Sequence, residues 1–306
     1  MISIVITCYN YANYVADAIF SALGQTYEKF EIIIVNDGST DDSHDVISEF
    51  LPHPRIKYIK QENAGQANAK NTGIRKAKGD FIAFLDADDM WEPDKLEKQV
   101  RLFTNPNIGV VYSRARYIDG NGNPLDFKLQ NKYLQPRSGK VTEWLLFDNF
   151  VPFSSAVVRR ECFEKVGLFD EALKMGIDWD LWLRISIHYE FDYIDEPFLI
   201  YRVGHAGQMS KNIDIRQSCS DEIYKKLFEH NGYEISDSLI TSAFYYTYCS
   251  RGYYWRYRDN KKALYYYLKA LKLKPFYLGP YKGVLFLFIN NFCKKVSKTF
   301  EQIFWL

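Results

Sequence analysis

The apolar positions of the first ninety residues fall into short blocks. Ile2–Ile6, Glu31–Val35, Ile56–Ile59 and Phe81–Leu85 are β-branched or aromatic-rich runs of strand length, each followed by Gly, Asn, Asp or Ser. Between them the period changes. Tyr14–Leu23 sets Val15, Ala18, Ile19, Ala22 and Leu23 on one helical face, and Ser43–Phe50 and Gln66–Lys76 read as two further helices. Strand alternating with helix across short linkers predicts a parallel, right-handed, doubly wound α/β sheet. Ligands of such sheets bind beyond the carboxyl ends of the strands, so the residues just after each strand are the ones to inspect.

Further along, Asp119-Gly-Asn-Gly-Asn-Pro124 is a turn cluster that predicts a hairpin or mobile loop in a second half. From about Ser218 the pattern is helical to the end. Asn260–Lys274 resembles one helix of a tetratricopeptide unit, but a single unit does not make a solenoid. The expected organisation is a nucleotide-binding half at 1–105, an acceptor-binding and catalytic half at 106–215, and a helical, basic, aromatic-rich region at 216–306.

Composition sharpens this division. The 306 residues carry a net charge of +1, but residues 1–215 hold 24 Lys/Arg against 31 Asp/Glu and residues 216–306 hold 15 against 7. An anionic surface would therefore meet the C-terminal region first. The five cysteines are scattered without Cys-x-x-Cys spacing, which suggests neither a disulfide framework nor a zinc site and fits a reducing compartment. The chain opens directly on an apolar strand with no signal-like stretch, so a cytoplasmic location is expected. Its longest apolar run near the end, Val284–Ile289, falls far short of the ~20 residues that span a bilayer.

Three strand ends carry polar clusters: Thr7-Cys-Tyr-Asn-Tyr11, Asn36-Asp-Gly-Ser-Thr-Asp41 and Leu85-Asp-Ala-Asp-Asp89. Any one of them reads as ordinary capping, with Ser39 or Thr40 capping the next helix and Asp37-Gly38 forming a turn. Together they crowd more carboxylates on one sheet edge than caps require.

On these residues the sequence resembles the inverting family 2 glycosyltransferases of GT-A fold. The resemblance covers roughly residues 1–210 and rests on Ser3–Asn10, Ile34–Asp41, Glu62-Asn63 with Asn71-Thr-Gly73, Gly79–Asp89 and Asp178-Trp-Asp-Leu-Trp-Leu-Arg184, in that order and spacing. It implies a GT-A sheet with a helical C-terminal extension and a nucleotide-sugar donor. Thr7 and Tyr9 would line the donor site, Tyr9 packing on the base and Asp37 accepting a hydrogen bond from it. An aromatic face with a carboxylate suits uracil, so a UDP-linked donor is expected. Lys70 would lie near base and phosphates, the alternative being a solvated helix lysine. Asp86 and Asp88 form the Asp-x-Asp pair, Asp86 on the ribose and Asp88 on a divalent cation, Mg²⁺ or Mn²⁺, that neutralises the departing diphosphate. Asp89 would support the turn or cap the helix after Pro93.

The resemblance also implies a general base on an acidic pair before a tryptophan. Asp178 occupies the second position of that pair, and the first, usually Glu or Asp, is Ile177. Asp178 is preferred as base over Asp180, which suits a helix cap. In Tyr201-Arg-Val-Gly-His205, Arg202 would pair with phosphate and His205 would complete the metal shell or meet the leaving group, unless it is a surface histidine. Gly204 and Gly207 would let that segment close as a lid.

Residues 251–306 carry 12 Lys/Arg against 2 Asp/Glu, interleaved with Tyr, Phe and Trp. No nucleic-acid-binding motif accompanies them, so nucleic acid is not expected as a partner. The open readings are peripheral contact with the inner face of a membrane and a packed helical appendage with a solvated basic face. The expected activity is hexosyl transfer to a glycan or lipid-linked acceptor in cell-surface polysaccharide synthesis. The competing reading is a nucleotide-sugar-binding partner that has lost catalysis, prompted by Ile177. A nucleotidyltransferase is disfavoured because Thr7–Ala12 is not a Gly-rich phosphate loop.

Overall fold

A computed structural model describes residues 1–126, 134–205, 207–208, 212–229 and 235–290. The chain divides into two compact units, Met1–Tyr233 and Glu234–Leu306.

The first unit opens as the apolar blocks predict, with β1 (Ile2–Cys8), α1 (Val15–Leu23), β2 (Phe30–Asn36), α2 (Ser43–Ser48), β3 (Ile56–Lys60), α3 (Gln66–Lys76) and β4 (Phe81–Asp86). β1 lies parallel between β2 and β4, with Ile4 beside Ile32 and Thr7 beside Asp86. Its residues and those of β2 are almost wholly buried, which is why both strands are unbroken apolar runs rather than alternating ones. The chain winds outward to β3 and returns to β4 on the other side of β1, so the topological switch point lies between β1 and β4. That gap opens onto Thr7–Asn10 and Asp86–Asp89.

Beyond β4 the sheet is mixed, which departs from the wholly parallel sheet expected. β5 (Met90–Trp91), β6 (Ile108–Ile118), β7 (Pro124–Leu125), β8 (Val157–Arg159) and β9 (Glu190–Arg202) extend it in the order β3-β2-β1-β4-β8-β6-β9-β5, with β7 paired to β6. β8 runs antiparallel to both β4 and β6. Strands of two or three residues such as β5 and β8 leave no periodic trace. The sheet crosses the 105/106 division without interruption.

The helices α4 (Lys95–Val100), α5 (Thr142–Leu145), α6 (Arg160–Val166), α7 (Ile177–Ser186) and α8 (Ile213–Glu229) complete this unit. α8 belongs here, whereas the sequence suggested a boundary at 216. Its Cys219, Ile223, Tyr224 and Leu227 are buried, and Tyr224 Oη donates to the Leu146 carbonyl while Lys226 pairs with Asp170 and Asp180. α3 approaches β1 so closely that a Cβ on Gly73 would sit 2.3 Å from Val5 Cγ1. Glycine there lets the helix lie down on the strand, and Lys70, one turn earlier, reaches the sheet edge.

The second unit holds α9 (Asp237–Trp255) and α10 (Asn260–Leu273), which pack on each other as a hairpin, and a third helix over 278–290. Ser236 Oγ and Asp259 Oδ1 cap the first two by accepting from Leu239 N and from Lys261 N and Lys262 N. Cations are laid on aromatic faces here, Arg256 over Tyr253 at 3.7 Å and Lys262 over Trp255 at 4.1 Å, which accounts for part of the interleaving of basic and aromatic residues. Other large apolar side chains stay exposed: Phe276, Leu278, Leu285, Phe288 and Ile289. Among the described residues no helix is long and apolar enough to cross a membrane. Lys294, Lys295, Phe300, Phe304 and Trp305 lie outside the described residues. Cys8, Cys162 and Cys219 are buried free thiols and Cys249 is a half-buried one.

Candidate active site at the sheet switch point

The loops after β1 and β2 are sewn together. Asn10, in the left-handed region at φ 60°, donates its N–H to Ser39 Oγ at 3.0 Å, and its Oδ1 accepts from Thr40 N at 2.8 Å. Asp41 accepts from Ala12 N at 3.0 Å. Ser39 and Thr40 therefore do not cap α2, whose N-cap is Asp42 with no side-chain bond. They fix the neighbouring loop, and Tyr9 in it stands 45% exposed. Asp37 is buried, its Oδ1 accepting from Gln61 Nε2 and Ala64 N and its Oδ2 from Gly65 N. The carboxylate expected to meet a base thus also ties down the 61–65 turn, and Oδ2 keeps one lone pair for a further donor.

Lys70 is not a solvated helix lysine. Buried, with its ammonium 4.6 Å from the centre of the Phe153 ring, it donates to Asp86 Oδ1 at 2.7 Å and to Thr7 Oγ1 at 3.0 Å. A buried ammonium needs such a partner, and the register placing Thr7 beside Asp86 supplies both acceptors.

Asp88 Oδ2 lies 2.9 Å from His205 Nε2. His205 is buried against Tyr11 and Tyr14, with ring centroids 5.7 and 5.2 Å away, so it is no surface histidine. Burial raises the Asp88 carboxyl above its ordinary range, the negative charge of Asp86 adds to this, and His205 opposes it. Asp89 is pushed up further, by burial and then by Asp88 and Asp86. It supports the turn, accepting from Ser154 Oγ and from Arg202 N, and does not cap the next helix, whose N-cap is Asp94. Ser154 also accepts from Asp86 N at 3.1 Å. Nothing in the sequence pattern marks Ser154, because its role arises only when β8 returns beside β4.

Arg202 has partners other than the phosphate expected. Its guanidinium is buried over the Tyr14 ring and donates to the Asp88 carbonyl at 3.1 Å, to Asp17 Oδ2 at 3.1 Å and to the Gly120 carbonyl at 3.5 Å. It braces the acidic turn against α1.

Ile177 is 2% exposed and packed in the core, so the acidic residue usual at that position has no place there. Gly176 enters α7 at φ 71°, and Asp178 follows in the first turn. Asp178 is half-buried and accepts from Asn149 Nδ2 at 2.7 Å. Burial raises its carboxyl, the Trp179 N–H and the Asn149 amide oppose that rise, and Asp86 adds to it through space. Asp180 is engaged elsewhere: Oδ2 accepts from Arg184 at 2.9 and 2.7 Å and Oδ1 from Lys226 at 3.2 Å. Asn149 went unnoticed in the sequence, since an asparagine in a polar loop carries no distinguishing signal.

For a divalent cation, Asp88 and His205 could offer one carboxylate oxygen and one imidazole nitrogen. Among the described residues no group of three His, Cys, Asp or Glu is placed to hold a metal. The pair fits an ion that takes its remaining ligands from a diphosphate and water, the usual habit of Mg²⁺ with nucleotides.

Sheet order, strand-end carboxylates and the Asp-bearing α7 together define a GT-A fold. The sequence profile of glycosyl transferase family 2 matches residues 3–167, and the chain belongs to that family. A chondroitin synthase of Escherichia coli is 32% identical over 222 residues, which cover 71% of this chain and 31% of that protein. The matched region spans between 31% and 66% of the length of the curated relatives it matches first. Among solved structures, TarS of S. aureus (residues 1–349, in complex with UDP-GlcNAc) superposes with a TM-score of 0.68 at 14% identity, over 89% of this chain and 81% of that one. A mannosyltransferase from Pyrobaculum calidifontis in complex with GDP-Man and Mn²⁺ gives 0.66 at 19% identity, over 89% and 75%.

Proposed function

We propose that the chain transfers a sugar from a nucleotide-sugar donor, UDP-linked, to a hydroxyl of a glycan or lipid-linked acceptor, with inversion at the anomeric carbon. The observation carrying this reading is the pairing of Lys70 with Asp86 and of Asp88 with His205 at the carboxyl edge of β1 and β4, with Asp178 on α7 near enough to sense the charge of Asp86. Membership of the family and the nucleotide sugars bound by the two structural neighbours support it.

Tyr9 stacks on the base and Asp37 accepts from it, while Thr7, Lys70 and Asp86 form the floor beneath ribose and phosphates. Asp88 and His205 would hold a Mg²⁺ or Mn²⁺ ion, and such an ion would supply positive charge beside the leaving diphosphate. Asp178 takes the proton of the acceptor hydroxyl as that oxygen attacks the anomeric carbon from the face opposite the nucleotide. The bond from sugar to diphosphate breaks, and the nucleoside diphosphate leaves with the bonding pair. Arg202 and Asp89 keep the acidic turn rigid, so little reorganisation is needed as charge develops.

The apolar side chains exposed on 276–289 and the net charge of +10 over residues 251–306 support peripheral contact with an anionic inner membrane face. The test of the activity is nucleotide release from a panel of UDP-sugars with oligosaccharide acceptors in Mn²⁺. Transfer with one donor and loss of it in EDTA are expected. Absence of any nucleotide binding, with or without Mn²⁺, refutes the reading.

A further inference from the structure

Asp178 is braced by a segment, 145–151, that lies outside the family motifs. The segment 145–151 runs from the end of α5 past the start of α7 and is pinned at three places. Trp179 Nε1 donates to the Leu145 carbonyl at 2.7 Å, Tyr224 Oη from α8 donates to the Leu146 carbonyl, and Asn149 Nδ2 donates to Asp178 Oδ2 at 2.7 Å. The direction of the Asn149 amide is decided by its other end, because Oδ1 accepts from Val151 N at 3.2 Å. A flipped amide would set an oxygen against the carboxylate and leave the Val151 N–H without this acceptor, so the NH₂ must face Asp178.

We infer that Asn149 is the positioning residue of the proposed base, occupying one carboxylate oxygen of Asp178 so that the other receives the acceptor proton. This rests on the reading of Asp178 as base. It also gives the departure at Ile177 a physical account. With residue 177 turned into the core, the neighbour of the base is an amide donor from another loop, not a second acid. An amide donor favours the ionised carboxylate, whereas an adjacent acid would resist ionisation. Among the described residues, the titratable groups that sense Asp178 include Asp86 on β4, itself paired with Lys70, and Tyr201 on β9.

A purely structural hydrogen bond would change stability alone, so the test reads the carboxyl itself. In full-length protein labelled with ¹³C at the aspartate carboxyls, the resonance missing from Asp178→Asn belongs to Asp178. Its midpoint should rise by about 1–2 pH units in Asn149→Ala, the worth of one hydrogen bond to a charged group. In Asn149→Asp it should rise and split into two steps, as two adjacent carboxylates titrate jointly. Tyr224→Phe removes another pin of the same segment while keeping the amide, and should lower thermal stability without moving the midpoint. UDP affinity should be unchanged in Asn149→Ala, and the acid limb of its kcat profile should move with the NMR midpoint. An unmoved midpoint in both Asn149 variants, or an equal shift in Tyr224→Phe, overturns the inference. Full turnover by Asp178→Asn would instead defeat the assignment of the base and leave the NMR result standing.

Discussion

Replacing Asp178 and Asp180 in turn should give opposite phenotypes, although the two carboxylates are two residues apart on α7. Asp178→Asn keeps size and hydrogen-bonding capacity but removes the proton acceptor, and loss of a general base costs ~10²–10⁴-fold in rate. Stability should hold or rise, and the sign follows from burial. The Asp178 carboxyl titrates above its ordinary value of 3.8, so the folded protein binds that proton more tightly than the unfolded chain. Ionising it as pH climbs through the window between those two values subtracts stability, a cost that asparagine does not incur. Turnover has the complementary dependence: it needs the ionised form and should fall as pH drops through the raised value. Asp180→Asn should instead leave the chemistry and loosen the fold. Asp180 is 3% exposed and answers both Arg184 and Lys226, so neutralising it weakens two charge pairs. Breaking a buried pair costs ~3–5 kcal/mol. The two cations are partly solvated, which brings the expectation to about 3 kcal/mol, or a fall in Tm of roughly 6–12 °C for a unit of this size. The assay pairs single-turnover transfer with differential scanning calorimetry, using UDP affinity as a control that neither variant should change. An inactive but thermally normal Asp180→Asn beside an active Asp178→Asn would refute the assignment.

Three further outcomes follow from the geometry. Calorimetric titration of UDP should show binding that needs Mn²⁺ or Mg²⁺ and weakens in Asp88→Ala and in His205→Ala; equal affinity in EDTA would remove the metal from the site. In the second unit, a Cβ on Gly283 would sit 2.3 Å from the Tyr267 ring and one on Gly252 2.6 Å, so Gly283→Ala should destabilise the unit by about 1–3 kcal/mol, read from urea unfolding. Finally, the full chain should float with anionic vesicles in a partly salt-sensitive way, and Leu285→Glu with Phe288→Glu should abolish the salt-resistant part. Equal flotation of that variant would mean the exposed row does not touch lipid.

The strand blocks, the helices between them and the three polar strand ends were legible in the sequence because each obeys a short-range rule. A strand buried on both faces must be apolar throughout, as β1 and β2 are, and a ligand crevice at a switch point must draw its polar groups from the residues just after such strands. Asp86 and Asp88 could be singled out for that reason as well as by resemblance to a family motif, and Asp178, in the first turn of α7, by the resemblance alone. Tertiary structure decided who their partners are. Asn149 meets Asp178 across 29 residues, Ser154 meets Asp89 across 65, and Arg202 reaches Asp17 across 185. No periodicity relates positions so far apart, because a hydrogen bond forms between whichever donor and acceptor the folded sheet brings within about 3 Å. The same reason separates the two carboxylates on α7. In sequence only the family resemblance prefers Asp178 to Asp180, whereas in the fold Arg184 and Lys226 engage Asp180 and Asn149 meets Asp178.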